Sequence, residues 1–162
     1  MSICLQRPTA ADWQLTVIAT LVFGAFSAAF GLATGLFDPS IPNNITDLLR
    51  VAAIAFVLPA LLEEFVFRGP IIWLAMKGSR QLLVAAMISL VLFVLWHPLN
   101  GTFLVTDAKD MFTDSRFLTI ATMLGIIATW LAMRTRSLWP PVVFHWLAVV
   151  GWKALLGGPA FL

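Results

Sequence analysis

Uncharged apolar runs alternate with short polar breaks along the 162 residues. Five runs stand out: Leu15–Phe37, Leu48 to about Phe67, Leu82–Trp96, Phe117–Met133 and Leu138–Trp152. The first is 23 residues without a charge, long enough as a helix to cross a hydrocarbon core of about 30 Å. Several others fall short of the roughly 20 residues a span needs, so flanking residues must lengthen them. None shows the apolar/polar alternation of a barrel strand. In lipid, an open chain satisfies its own backbone only as helix. The pattern predicts an all-α, polytopic membrane helix bundle of about five transmembrane helices.

The breaks carry their own chemistry. Asp38-Pro39-Ser40-Ile41-Pro42 cannot continue the first helix. Thr46 is expected to cap the second, Ser79 the third and Ser137 the fifth, with Pro140 tolerated in a first turn. Gly69-Pro70 is expected to kink the second helix. The third is expected to end at His97-Pro98; Asp107–Arg116 reads as a solvated loop, and the 19 residues Pro98–Arg116 are long enough to cover a cavity mouth. No linker, repeat or low-complexity tract interrupts the chain. Residues 1–45 read as an N-terminal transmembrane helix and loop, and 46–162 as the core of one structural domain. Gly31-x-x-x-Gly35, with Gly24 and Ala28, reads as a surface for close helix approach. Trp13, Trp96, Trp130, Trp139 and Trp152 read as interfacial anchors. Asn44-Ile45-Thr46 matches a glycosylation sequon, a pattern frequent by chance.

Composition fixes the solvent. Hydrophobic residues make up 60% and charged residues 11% of the chain, against roughly 45–50% and about 25% in soluble domains. The mean hydropathy is +0.95. A soluble fold of this length could not hide so much apolar surface. The single cysteine, Cys4, allows neither an internal disulfide nor a Cys-pair metal motif. A net charge of +2 with a pI near 9.2 reflects few titratable groups, and no basic run suggests a nucleic-acid partner. The first run reads as a retained helix rather than a cleavable signal. Lys77, Arg80, Arg134 and Arg136 lie in loops that alternate with loops holding Asp38 and Asp47, and Asp107, Asp110 and Asp114. The positive-inside rule then predicts a cytoplasmic N-terminus, in a membrane read as the bacterial inner membrane.

Against this background the ionisable residues inside the runs carry the chemical information. The only two glutamates are adjacent, Glu63-Glu64, and Arg68 follows them; the only two histidines, His97 and His145, lie in other runs. A charged group at membrane depth costs roughly 2.5–3.5 kcal/mol on insertion scales, so it faces a bundle interior or wet cavity and has a job there. Glu64 and Arg68 are four apart and share a helix face, acid first. Glu63 points about 100° away, free to act as the tunable acid or base. In an antiparallel hairpin turning near Ser79, Glu63 and His97 both lie roughly 24–27 Å from the turn at the rise of a helix. Phe93 shares the face of His97. His145 is nine residues past Arg136, or roughly 14 Å, and reaches the same depth only if the hairpins are offset. Two histidines and a carboxylate could hold zinc with an open position. HExxH is absent, however, and the ligands would come from three helices, so no metal or cofactor is expected. A proton relay for transport is a further reading of the same cluster, set against five short spans without an inverted repeat.

Glu63-Glu64-Phe65-Val66-Phe67-Arg68 has the form EExxxR, and Phe93-Val94-Leu95-Trp96-His97 the form FxxxH. Ser137-Leu138-Trp139-Pro140-Pro141 and then His145 follow in order. Over residues 46–152 this resembles the CPBP family, the CAAX prenyl proteases and bacteriocin-processing intramembrane proteins. Val149 stands where that family's third motif usually has Asn or Asp. The resemblance implies an intramembrane endopeptidase acting on a peptide or membrane-protein substrate within the bilayer. It implies that Glu63 activates water, His97 helps hold it, Glu64 and Arg68 orient the site, and His145 stabilises the oxyanion. That division of labour matches what peptide hydrolysis requires, a base near water and donors aimed at the developing charge. Loss of one oxyanion donor typically costs about 10²–10³ in rate. Val149 therefore implies a slow enzyme, a substitute donor such as Asn100, or a non-catalytic immunity or scaffold protein. Oligomeric state is not legible in the sequence.

Overall fold

The structure is a computed structural model that describes residues 6–39 and 44–158. Cys4 and the Ser40–Pro42 part of the first break lie outside the described residues. The elements are α1 (Ala10–Ala33), α2 (Ile45–Ala55), a π-helical segment (Phe56–Leu61), α3 (Leu62–Met76), α4 (Leu82–Phe103), a 3-10 turn (Thr106–Ala108), α5 (Lys109–Thr113), α6 (Ser115–Thr135) and α7 (Trp139–Leu155). Among the described residues, four stretches are long and apolar enough to cross a membrane: Ala10–Ala33, Ile45–Met76, Leu82–Phe103 and Ser115–Thr135. Helix α7, at 17 residues, is the short member of the polytopic bundle. Apolar side chains such as Val17, Leu21, Leu83, Met87, Val91 and Leu95 cover the outside, as expected when the surroundings are hydrocarbon.

Local chemistry starts and stops these helices. Thr9 and Asp12 form a capping box: the Asp12 N–H donates to Thr9 Oγ1 at 3.2 Å, and the Thr9 N–H donates to Asp12 Oδ2 at 2.8 Å. α1 ends where Gly35 takes φ +68° and the Leu36 N–H returns to the Gly31 carbonyl at 2.8 Å. The ring of Phe37 packs where a side chain on Gly31 would stand. Gly31 therefore serves the chain's own turn, not the open helix-packing surface expected of Gly31 and Gly35.

Several boundaries differ from expectation. The second helix is capped by Asn44, whose side chain accepts from the Thr46 N–H at 2.8 Å; Thr46 lies inside it. Its break falls at Leu58-Pro59, where Leu58 leaves helical geometry (φ −128°, ψ 112°), while α3 runs on through Gly69 and Pro70. The proline that breaks the ladder is thus the earlier one. Ser79 accepts from the Gln81 N–H at 3.2 Å in the turn before α4 rather than capping the helix itself. α4 does not stop at His97-Pro98; it continues to Phe103 with Pro98 inside. The segment expected as a loop is largely helical, and Phe112 of α5 packs against Gly101, with no room there for a Cβ. Ser137 is fully buried and does not cap α7; its Oγ donates to the Gln6 carbonyl at 2.7 Å.

The core centres on α6, the most buried of the four long helices. Small residues at Ala121, Gly125, Ala128 and Ala132 follow helical spacing and let neighbours approach. Phe93, Leu124, Leu131 and Phe144 fill the space between, and Phe23 of α1 meets Phe144 edge-on at 5.4 Å. α1 is therefore packed into the same bundle as the rest. Arg116 ties two helix ends together: its Nη1 donates to the Thr34 carbonyl at 2.7 Å, and its Nη2 meets Asp114 Oδ2 at 2.6 Å. Asp114 also caps α6 through the Arg116 N–H, and these hydrogen bonds hold its carboxyl at a pKa of about 2.

Candidate active site

The hairpin of α3 and α4 brings the first two elements together. Ser89 Oγ donates to the Phe67 carbonyl at 2.6 Å, and Trp96 Nε1 donates to Glu63 Oε1 at 3.0 Å. Both cross-links match an antiparallel turn near Ser79. Glu63 is therefore level with Trp96 and His97, as the helical rise predicts. His97 Nδ1 lies 2.9 Å from the Phe93 carbonyl, which only accepts, so Nδ1 carries the proton. In the neutral form of the ring this leaves Nε2 with its lone pair. The Phe93 and His97 rings are 5.0 Å apart, edge to face.

Glu64 faces the other way, into the centre. It is fully buried, and its Oε1 lies 3.1 Å from Arg68 Nη1 and 2.8 Å from His145 Nδ1. The Arg68 contact brings the charges together without the alignment of a hydrogen bond, since Nη1 finds no hydrogen-bond acceptor among the described residues. Arg68 Nη2 does donate, to the Gly125 carbonyl at 3.2 Å, and the guanidinium lies 4.1 Å from the centre of the Phe93 ring. Glycine at 125 lets the Leu90 and Phe93 side chains of α4 pack close against α6. A Cβ there would lie 2.7 Å from Leu90 Cδ1 and 2.9 Å from Phe93 Cδ1.

His145 thus reaches the depth that its distance from the Arg134–Arg136 loop left in doubt. The reason is the start of α7. Ser137, Pro140 and Pro141 are fully buried, so the helix begins inside the bundle, not at its surface. The Phe93 ring lies 6.0 Å from His145 and 5.0 Å from His97, a spacer between the two imidazoles. All five sequence candidates, Glu63, Glu64, Arg68, His97 and His145, converge around it.

Within the cluster Glu63 Oε2, Glu64 Oε2 and Arg68 Nε and Nη1 have no hydrogen-bond partner among the described residues, and the same holds for the buried Asn100 Oδ1, Thr129 Oγ1 and Trp152 Nε1. Val149 is buried one turn past His145, and no polar group occupies its place. Trp96 and Trp152 are not simple interfacial anchors, because the indole N–H of Trp96 donates to Glu63 and that of Trp152 is buried. The adjacency of Trp96 to His97 was the available signal. The Gly125 carbonyl had none, since any helical residue carries one. Among the described residues, no three of His, Cys, Asp and Glu are grouped as a metal ion would need.

A sequence model described as type II CAAX prenyl endopeptidase Rce1-like matches residues 45–151. The chain belongs to that family. Its matched block starts at α2, takes in the whole cluster and leaves α1 outside. No curated protein matches the chain, and no solved structure does. Membership supports a protease-type enzyme in a membrane context, with a peptide or protein as substrate. The four long apolar helices agree with an integral membrane protein.

Proposed function

We propose that this Rce1-like protein is a glutamate-dependent intramembrane endopeptidase. The observation that carries the reading is the state of Glu63. One carboxylate oxygen is held by Trp96, while the other is buried, unpaired and level with His97. A carboxylate so placed is equipped to take a proton from a water whose other contact is His97 Nε2. The hydroxide formed attacks the scissile carbonyl, and Glu63 returns the proton to the leaving amine as the C–N bond breaks. His145, with Nδ1 engaged by Glu64, has Nε2 to offer; as imidazolium it donates there to the tetrahedral oxyanion. Glu64 and Arg68 position that ring and do not themselves touch the reacting atoms.

The same reading takes residues 1–45 as an N-terminal helix and loop added to a 46–162 core. It places the N-terminus in the cytoplasm of a bacterial cell, in keeping with the basic loops. The direct test is cleavage of a fluorogenic peptide library by detergent-purified protein. Wild type should cleave, while Glu63→Gln and His97→Gln should lose cleavage yet keep their helical content. Cleavage surviving in both variants would overturn the reading.

One observation favours a second reading. The buried Val149 side chain lies where the family's third motif usually carries an amide or acid. A membrane immunity or scaffold protein would need no oxyanion donor there. On that reading, Glu63→Gln and His97→Gln keep the protein's biological effect in cells.

A further inference from the structure

The unpaired groups of Asn100 and Trp152 form a pattern that the hydrolytic residues do not use. α6 runs antiparallel to both α4 and α7. Phe117 near its start lies 5.5 Å from His97 and 5.5 Å from Trp152, ring centre to ring centre. Gly125, two turns later, faces Leu90 and Phe93. α4 and α7 therefore run parallel, with Phe93 level with His145. Seven residues further along each helix, about 10 Å, stand Asn100 and Trp152. They are level with each other, about one turn beyond His97 and Val149.

The two orphan atoms are complementary. Trp152 Nε1 is a donor only, buried with no acceptor for it among the described residues. Asn100 Oδ1 is an acceptor, buried with no donor to it among the described residues. Leaving a buried donor or acceptor unsatisfied costs free energy that a ligand regains by pairing it. A peptide backbone carries both groups that this pair lacks, a C=O and an N–H, on each unit. Phe112 and Phe117, 5.2 Å apart beside His97, give the same region an apolar wall.

We propose that Asn100 and Trp152 form a backbone-binding subsite one turn beyond His97, in which Trp152 Nε1–H donates to a substrate carbonyl and Asn100 Oδ1 accepts from a substrate amide N–H. The subsite rests on the peptidase reading and deepens it. It fixes the register of an extended peptide without selecting its side chains. It also puts the Asn100 side chain in a binding role, in place of the oxyanion role that the missing amide at Val149 suggested.

The test is a titration of protein labelled with 15N at its indole nitrogens, in detergent, with acetyl-Leu-Leu-Leu-amide and its singly N-methylated analogues. Trp152→Phe assigns the Trp152 indole resonance. The expected result is a saturable downfield shift of that proton, retained in Glu63→Gln. One N-methylated analogue should bind at least tenfold more weakly to wild type, and that penalty should disappear in Asn100→Leu. A Trp152 resonance that does not move throughout the titration overturns the subsite, as does an N-methyl penalty unchanged in Asn100→Leu. Neither outcome touches the peptidase reading, which stands or falls on cleavage by wild type against Glu63→Gln.

Discussion

His145 Nδ1 lies 2.8 Å from Glu64 Oε1, a contact that spans 81 positions of sequence and joins the last helix to the third. Ionised Glu64 can only accept, so the contact fixes which nitrogen of His145 is protonated and which edge the ring turns to a substrate. Arg68 Nη1 lies 3.1 Å from the same oxygen. The ion pair and the imidazole form one unit and should fail as one.

Arg68→Met should therefore be severely destabilising, by roughly 3–5 kcal/mol, because it strands a buried carboxylate. Adding Glu64→Leu should recover most of that stability but no activity, since His145 would have lost its partner. Thermal unfolding of the single and double variants in detergent checks both statements.

Gly125→Val should lower the melting temperature, as overpacking a tight contact typically costs about 1–3 kcal/mol. It should also reduce kcat, because the displaced Phe93 ring carries the Arg68 guanidinium and spaces the two histidines. Gly24→Ala, at a site with nothing within 4 Å of the new Cβ, is the control that should do neither.

Val149→Asn should raise kcat by about ten- to a hundredfold, part of what an oxyanion donor is worth. The same change buries an amide in an apolar place and should lower stability by about 1–3 kcal/mol. Single-turnover cleavage and thermal unfolding of one variant measure the two effects. A faster but less stable protein is the expected outcome.

Asp114 gives the bundle a pH dependence outside the membrane-spanning helices. Its carboxyl sits at about 2 in the folded protein, chiefly because Arg116 donates hydrogen bonds to it, against about 3.9 for an unfolded aspartate. The stabilisation is fully present above pH of about 4 and is lost as pH falls towards 2. The melting temperature of wild type should exceed that of Asp114→Asn at neutral pH. The gap should be modest for a half-exposed pair and should close over that acidic window.

The apolar runs made the helices and the membrane setting legible, and helical rise alone put Glu63 and His97 at one depth. Less was legible wherever two distant elements had to meet. Nothing in the spacing of His145 predicted that Pro140 and Pro141 would be buried and carry it deeper. Asn44 and Thr46 are both good caps, and only the backbone distinguishes them. Gly69-Pro70 read as the kink signal, yet the helix is interrupted at Leu58-Pro59 instead. His97-Pro98 read as an ending because proline disfavours helical geometry in the residue before it, but α4 continues past it to pack Gly101 on Phe112. Trp96 was visible as an aromatic at a segment end beside His97, but its bond to Glu63 depends on hairpin register.

The central claim is that Glu63 is the base. The measurement that tests it most directly is kcat of detergent-purified wild type and Glu63→Gln on a fluorogenic peptide library, with a chelator added in parallel and folding checked by melting temperature. The account predicts chelator-resistant cleavage by wild type and a loss of about 10²–10⁴ in the folded variant, the usual worth of a general base. Cleavage by Glu63→Gln at the wild-type rate would contradict it.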